Sequence, residues 1–69
     1  MEKIITIKDE FIKLDSLLKY SGIAATGGHA KMMILDGEVS VNGEVCTQRG
    51  KKIKKDDKVK VEDFTLIIK

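Results

Sequence analysis

The stretch from Thr26 to Gly43, TGGHAKMMILDGEVSVNG, leaves a chain of this kind few ways to fold. Thr26 is a candidate N-cap, because its hydroxyl can accept from the first free backbone N–H groups of a helix, and Gly37 sits where a helix ends on a left-handed residue. Between them Ala30, Met33 and Ile34 recur at three- and four-residue spacing and define one buried face. Val39, Val41 and Val45 then alternate with polar residues about Asn42-Gly43, a dipeptide that fits a type I′ turn because both residues tolerate positive φ. The reading is a short helix followed at once by a tight hairpin.

Gly27 and Gly28 stand in the first turn of that helix, where each costs up to about 1 kcal/mol relative to alanine. A pair of them there suggests that bare backbone is wanted. Unprotected N–H groups at the positive end of a helix form an anion site, most often for phosphate, and Lys31 follows within one turn.

Upstream, Lys3 to Lys8 (KIITIK) reads as an initial strand at a sheet edge, broken by Asp9 and Glu10. Phe11 and Ile12 lead into a first helix of about Leu14 to Ser21, with Leu14, Leu17, Leu18 and Ile23 facing inward and Gly22 ending it. So few residues separate Gly22 from Gly27 that the two helices must turn back on each other, with Ala24 and Ala30 small enough for close approach. Met32 and Leu35 fall off the buried face. They are expected to cover the edge of the core, the alternative being an exposed partner-binding patch. Downstream, Ile53 would pin a basic loop to the core, Asp56-Asp57 forms a turn, and Lys58 to Glu62 and Thr65 to Ile68 are the closing strands. With 69 residues the expectation is a single α+β domain, residues 1–69, of two short packed helices against a small, mainly antiparallel sheet of four to five strands.

Charge is uneven along the chain. Residues 1–48 carry five lysines against seven acids, and residues 49–69 carry eight basic residues against four acids. Arg49, Lys51, Lys52, Lys54 and Lys55 put five cations into seven positions, a density suited to phosphate or, alternatively, to a solvated lysine face. Cys46 is the single cysteine and reads as a small hydrophobe on a strand, so no internal disulfide forms and a reducing, cytoplasmic setting is expected. No apolar run approaches the roughly 18 residues of a membrane span, and no signal-peptide pattern opens the chain.

Catalytic patterns are thin. His29 is the single histidine, without a cysteine or carboxylate at ligand spacing, and suits a surface or helix-cap role. TGGHAK lacks the glycine-rich loop of nucleotide hydrolases, and Asp56-Asp57 reads as a turn rather than an acid/base pair. The expectation is a non-enzymatic protein with no cofactor, metal or small-molecule substrate. Tyr20 is the one aromatic with a case for partial exposure, but core packing is the favoured reading, which argues against a single-strand stacking platform.

The run KLDSLLKYSGIAATGGHAKMMILDGEVSVNGEV resembles the S-four RNA-binding domain, with its alpha-L motif, shared by ribosomal small-subunit protein four, pseudouridine synthases, tyrosyl-tRNA synthetases and heat-shock ribosome-binding proteins. The likeness spans about Lys13 to Glu62 and rests on Lys13, Leu14, Asp15, Leu17, Leu18, Gly22, Ala30, Met33, Ile34, Gly37, Val39, Val41, Asn42 and Gly43, in that order. Two positions depart from the pattern. Thr26-Gly27 stands where most members have serine-arginine, and Asp56 where they have a glycine before the aspartate. The TGGHAK and QRGKKI runs are similar to the small stand-alone bacterial members, in which the domain is the entire protein.

The resemblance implies a monomeric binder of structured RNA, ribosomal or transfer RNA, with the ribosome as a possible setting. Its site would comprise Thr26, Gly27 and Gly28 at the helix N-terminus, with Lys31, Arg49, Lys51 and Lys52 neutralising phosphates and Lys13 and Lys54 further out. The competing expectation is a protein-interaction adaptor whose basic loop docks an acidic partner. Duplex DNA is a weaker third reading, because the cations sit on a loop and no recognition helix is apparent.

Overall fold

The computed structural model describes residues 1–69. The element order is β1 (Glu2–Ile5), β2 (Phe11–Lys13), α1 (Leu14–Tyr20), α2 (Gly27–Leu35), β3 (Val39–Val41), β4 (Glu44–Val45), β5 (Lys52–Lys54), β6 (Lys58–Val61) and β7 (Phe64–Ile68). Five strands form one sheet in the order β1-β7-β6-β3-β4, and β2 and β5 form a separate two-stranded ribbon. All pairings are antiparallel except β1 with β7, which joins the two ends of the chain. The fold is α+β, as its residue pattern leads one to expect.

Strand alternation decides what the sheet buries. Val39 and Val41 of β3, Val59 and Val61 of β6, and Leu66 and Ile68 of β7 all point into one core, with Leu14, Leu17, Leu18, Ala30, Ile34 and Ile53 closing it from the other side. Ile53 is fully buried, so the basic segment is anchored at its middle. Val45 departs from the expected valine set. The two-residue turn aligns Val41 with Glu44 and Ser40 with Val45, which puts Val45 on the opposite face from Val39 and Val41 and leaves it exposed.

Both helix ends are built as their residues suggest. Thr26 Oγ1 accepts from the His29 N–H at 3.0 Å, and His29 Nδ1 in turn accepts from the Ala25 N–H at 3.3 Å, a reciprocal arrangement that makes His29 a cap residue. At the other end Gly37 has φ +78, and the Gly37 and Glu38 N–H groups donate to the Ile34 and Met33 carbonyls, both at 3.1 Å. That pair of bonds is a Schellman closure, which needs a residue free to be left-handed. The helix α1 is capped differently. Its N-cap Lys13 makes no side-chain cap bond, and instead the Leu14 and Asp15 N–H groups donate to the carbonyls of Lys51 (2.9 Å) and Arg49 (3.1 Å).

Three expectations are corrected by how the helices pack. Phe11 and Ile12 are not a lead-in to α1 but part of strand β2, paired with β5. Tyr20 is 68% exposed rather than packed in the core, and Met32 (63%) and Leu35 (56%) are exposed rather than covering the core edge. Met32 and Leu35 each lie two residues past a buried one (Ala30 and Met33), about 200° around the helix, on the side that nothing covers, and Tyr20 is the last residue of α1, at the margin of its buried face.

Candidate nucleic-acid interface

The β2–β5 ribbon organises the site. Its register sets Phe11 opposite Lys54, Ile12 opposite Ile53 and Lys13 opposite Lys52. Ile53 is buried and Ile12 packs against the core, so alternation turns Phe11, Lys13, Lys52 and Lys54 to the outer face together. One aromatic ring and three ammonium groups therefore share a single small surface. The Lys52 Nζ lies 4.9 Å from the centre of the Phe11 ring, a cation–π contact across the diagonal of the ribbon. The sequence alone places Lys13 and Lys54 further out; the register sets them on the same face as Lys52.

Arg49 and Lys51 are held next to this face by their backbones. Their carbonyls cap α1, which fixes the segment leading into β5 without using either side chain, and both side chains remain exposed. An open polar groove runs between the β3–β4 hairpin and this segment, lined among others by Asn42, Glu44, Gln48, Lys51, Lys52 and Lys54. The groove's geometry is fixed by a polar clasp. Asn42 Nδ2 donates to Asp57 Oδ1 at 3.1 Å, the Lys54 N–H donates to Asp57 Oδ2 at 2.8 Å, and the Lys58 N–H donates to Asn42 Oδ1 at 2.9 Å. Asn42 (φ 52) and Gly43 (φ +91) supply the left-handed turn that presents the Asn42 side chain to Asp57. Asp57 is thus a brace between two turns, and Asp56 beside it is itself left-handed at φ 76, a conformation that favours glycine.

The α2 residues form a second cluster. Thr26, Gly27, Gly28 and Lys31 are all exposed on the first turns of α2, which packs on α1 and makes no hydrogen bond to residues 49–55. The two clusters are connected through α1. Neither Gly27 nor Gly28 is required by the fold: neither has a positive φ, a Cβ at Gly27 would meet nothing within 4 Å, and one at Gly28 would meet only Thr26 Oγ1 at 3.9 Å. With the His29 N–H taken by Thr26, the amides of Gly27 and Gly28 are among those left for a ligand.

Sequence reasoning missed Phe11 as a surface residue and favoured the core over partial exposure for Tyr20. No group of three or more His, Cys, Asp or Glu side chains is placed to hold a metal ion.

Two short helices beside a small sheet, with a basic ribbon at the junction, define the class: residues 5–69 match the S4 domain, and the chain belongs to that family. Among curated proteins it is similar to a probable ribosome maturation protein RlbA of Bacillus subtilis (strain 168), 38% identical over 64 residues that cover 93% of this chain and 90% of the relative.

Proposed function

We propose that this protein is a non-catalytic, cytoplasmic RNA-binding protein that acts as a monomer on structured RNA, with ribosomal RNA favoured over transfer RNA. Family membership and the ribosome-maturation name of the Bacillus relative support the ligand class and the ribosomal setting. The single observation that carries the reading is the ribbon register, which gathers Lys13, Lys52 and Lys54 on one face beside the backbone-anchored Arg49 and Lys51. Cations fixed at strand spacing suit a phosphate backbone better than cations on a mobile tail, because less side-chain and chain entropy is lost on binding. Lysines supply point charges, while the Arg49 guanidinium can grip a phosphate bidentately. Thr26, Gly27, Gly28 and Lys31 offer a further phosphate seat at the α2 N-terminus.

Contacts of this kind give affinity without sequence readout, so recognition is by RNA shape and weakens steeply with salt. The test is a titration of ribosomal RNA fragments and transfer RNA at two salt concentrations with wild type, Arg49→Ala, Lys31→Ala and the double variant. Each single change weakens binding with little loss of stability, and an unchanged affinity in the double variant removes the site.

A second reading has one observation in its favour. Met32, Leu35 and Val45 are exposed apolar side chains, the kind of surface an adaptor uses to hold a protein partner. Recovery of the same protein partners from lysate after ribonuclease treatment favours the adaptor; their loss favours RNA.

A further inference from the structure

A second groove lies beside Phe11 of the ribbon and shares no lining residue with the polar one. It is lined by the buried Ile7, the half-buried Ile12 and the exposed Phe11 and Tyr20, with Lys8 and Asp9 beside them. Two of the chain's three aromatic residues thus meet at one surface depression that no part of the chain fills. Phe11 and Tyr20 both line this groove, and exposed aromatic rings are the usual platform on which flat ligands stack.

Charge selects the occupant. Phe11 belongs at once to this groove and to the lysine face: Lys52 Nζ sits 4.9 Å from its ring centre, and Lys13 and Lys54 flank it on the ribbon. A ligand in the groove is therefore offered an apolar, aromatic seat bordered by fixed positive charge. Asp9 is the single anion among the lining residues, which directs any phosphate toward the ribbon side and leaves an acceptor for the edge of a base.

We propose that this groove receives one unpaired nucleobase of the bound RNA, stacked against Tyr20 and Phe11, while Lys13, Lys52 and Lys54 hold the adjoining phosphates. The proposal rests on the RNA-binding reading above and adds to it a requirement for a single-stranded nucleotide beside the structured element. The protein then distinguishes a helix that ends in an unpaired base from one that is fully paired, a preference that phosphate contacts alone do not supply.

The experiment compares two labelled RNA hairpins, one blunt and one with a four-adenosine overhang, by fluorescence anisotropy at fixed salt. Wild type binds the overhang hairpin about 10-fold more tightly, within the range that one stacked base supplies. Tyr20→Ala abolishes that preference and leaves blunt-hairpin affinity and salt dependence intact, whereas Tyr20→Phe keeps it. Phe11→Leu, which retains the β2 side-chain volume, reduces the preference without unfolding the ribbon. The chain has one tyrosine and no tryptophan, so quenching of tyrosine emission by the overhang, absent with an abasic overhang, reports the stack directly. Equal, salt-dependent binding of both hairpins by wild type overturns the stacking proposal while preserving the RNA reading. Failure of both hairpins to bind at low salt overturns both.

Discussion

Replacing Gly27 and Gly28 by alanine separates stability from function in one step. Both residues have helical backbone, a Cβ at the first has open space, and a Cβ at the second makes only an ordinary contact at 3.9 Å. Alanine therefore fits without strain. Inside a helix the exchange is worth up to about 1 kcal/mol per residue, and in the first turn roughly half of that, so the double variant gains on the order of 1 kcal/mol. For a domain of this size that raises the melting temperature by about 4–8 °C. If the two amides seat a phosphate, the new methyl groups stand between them and the ligand, and loss of even one amide–phosphate bond costs about 1.5–3 kcal/mol, or roughly 10-fold or more in affinity. Thermal melts followed by circular dichroism and RNA titrations on the same samples give both numbers. A variant that is more stable and binds RNA as wild type does would refute the assignment of these glycines to the ligand. A variant that is less stable would mean that the fold, after all, requires them.

Three further outcomes follow from the local structure. Asp57→Ala loses the bonds from Asn42 Nδ2 and the Lys54 N–H, and should cost about 1–2 kcal/mol by urea denaturation; a change below about 0.5 kcal/mol would show that the clasp does not brace the two turns. Asp56→Gly relieves a left-handed residue at φ 76 and should stabilise by about 0.5–1 kcal/mol, while Asp56→Ala should not; equal effects of the two would point to charge rather than backbone conformation. Thr26→Ala removes the α2 cap and should cost about 1 kcal/mol, with His29→Ala costing less because its Nδ1 serves only the Ala25 N–H.

The parts of the fold legible in the residues are those with local causes. Thr26 and Gly37 act on backbone groups within four residues of themselves, Asn42-Gly43 sets its own backbone turn, and the structure has a cap, a Schellman closure and a left-handed turn at those positions. Leu14, Leu17, Leu18, Ala30, Met33 and Ile34 announce two buried helix faces by spacing alone. What the residues did not announce is non-local. Strand β2 is three residues long, too short for alternation to show, and exists because Phe11–Lys13 pairs with Lys52–Lys54, some 40 positions away. That pairing brings Lys13 and Lys54 onto the face of Lys52, so the site's composition could be guessed from charge density but its geometry could not. Tyr20 was misjudged for a related reason: the end of a seven-residue helix lies at the margin of its buried face, and only the packing of its neighbours decides which side of the margin the ring takes.

The claim on which the account depends is that the ribbon face is a phosphate-binding surface, and the slope of log affinity against log salt measures it most directly. Each phosphate contact contributes roughly 0.7–1 to that slope. The triple variant Lys13→Gln, Lys52→Gln, Lys54→Gln keeps the buried Ile12 and Ile53 of the ribbon and should remain folded. Titrated against a structured ribosomal RNA fragment across a range of salt, it should show a slope about 2–3 smaller than wild type. A folded triple variant with the wild-type slope would contradict the account, because the three lysines would then be facing water and not RNA.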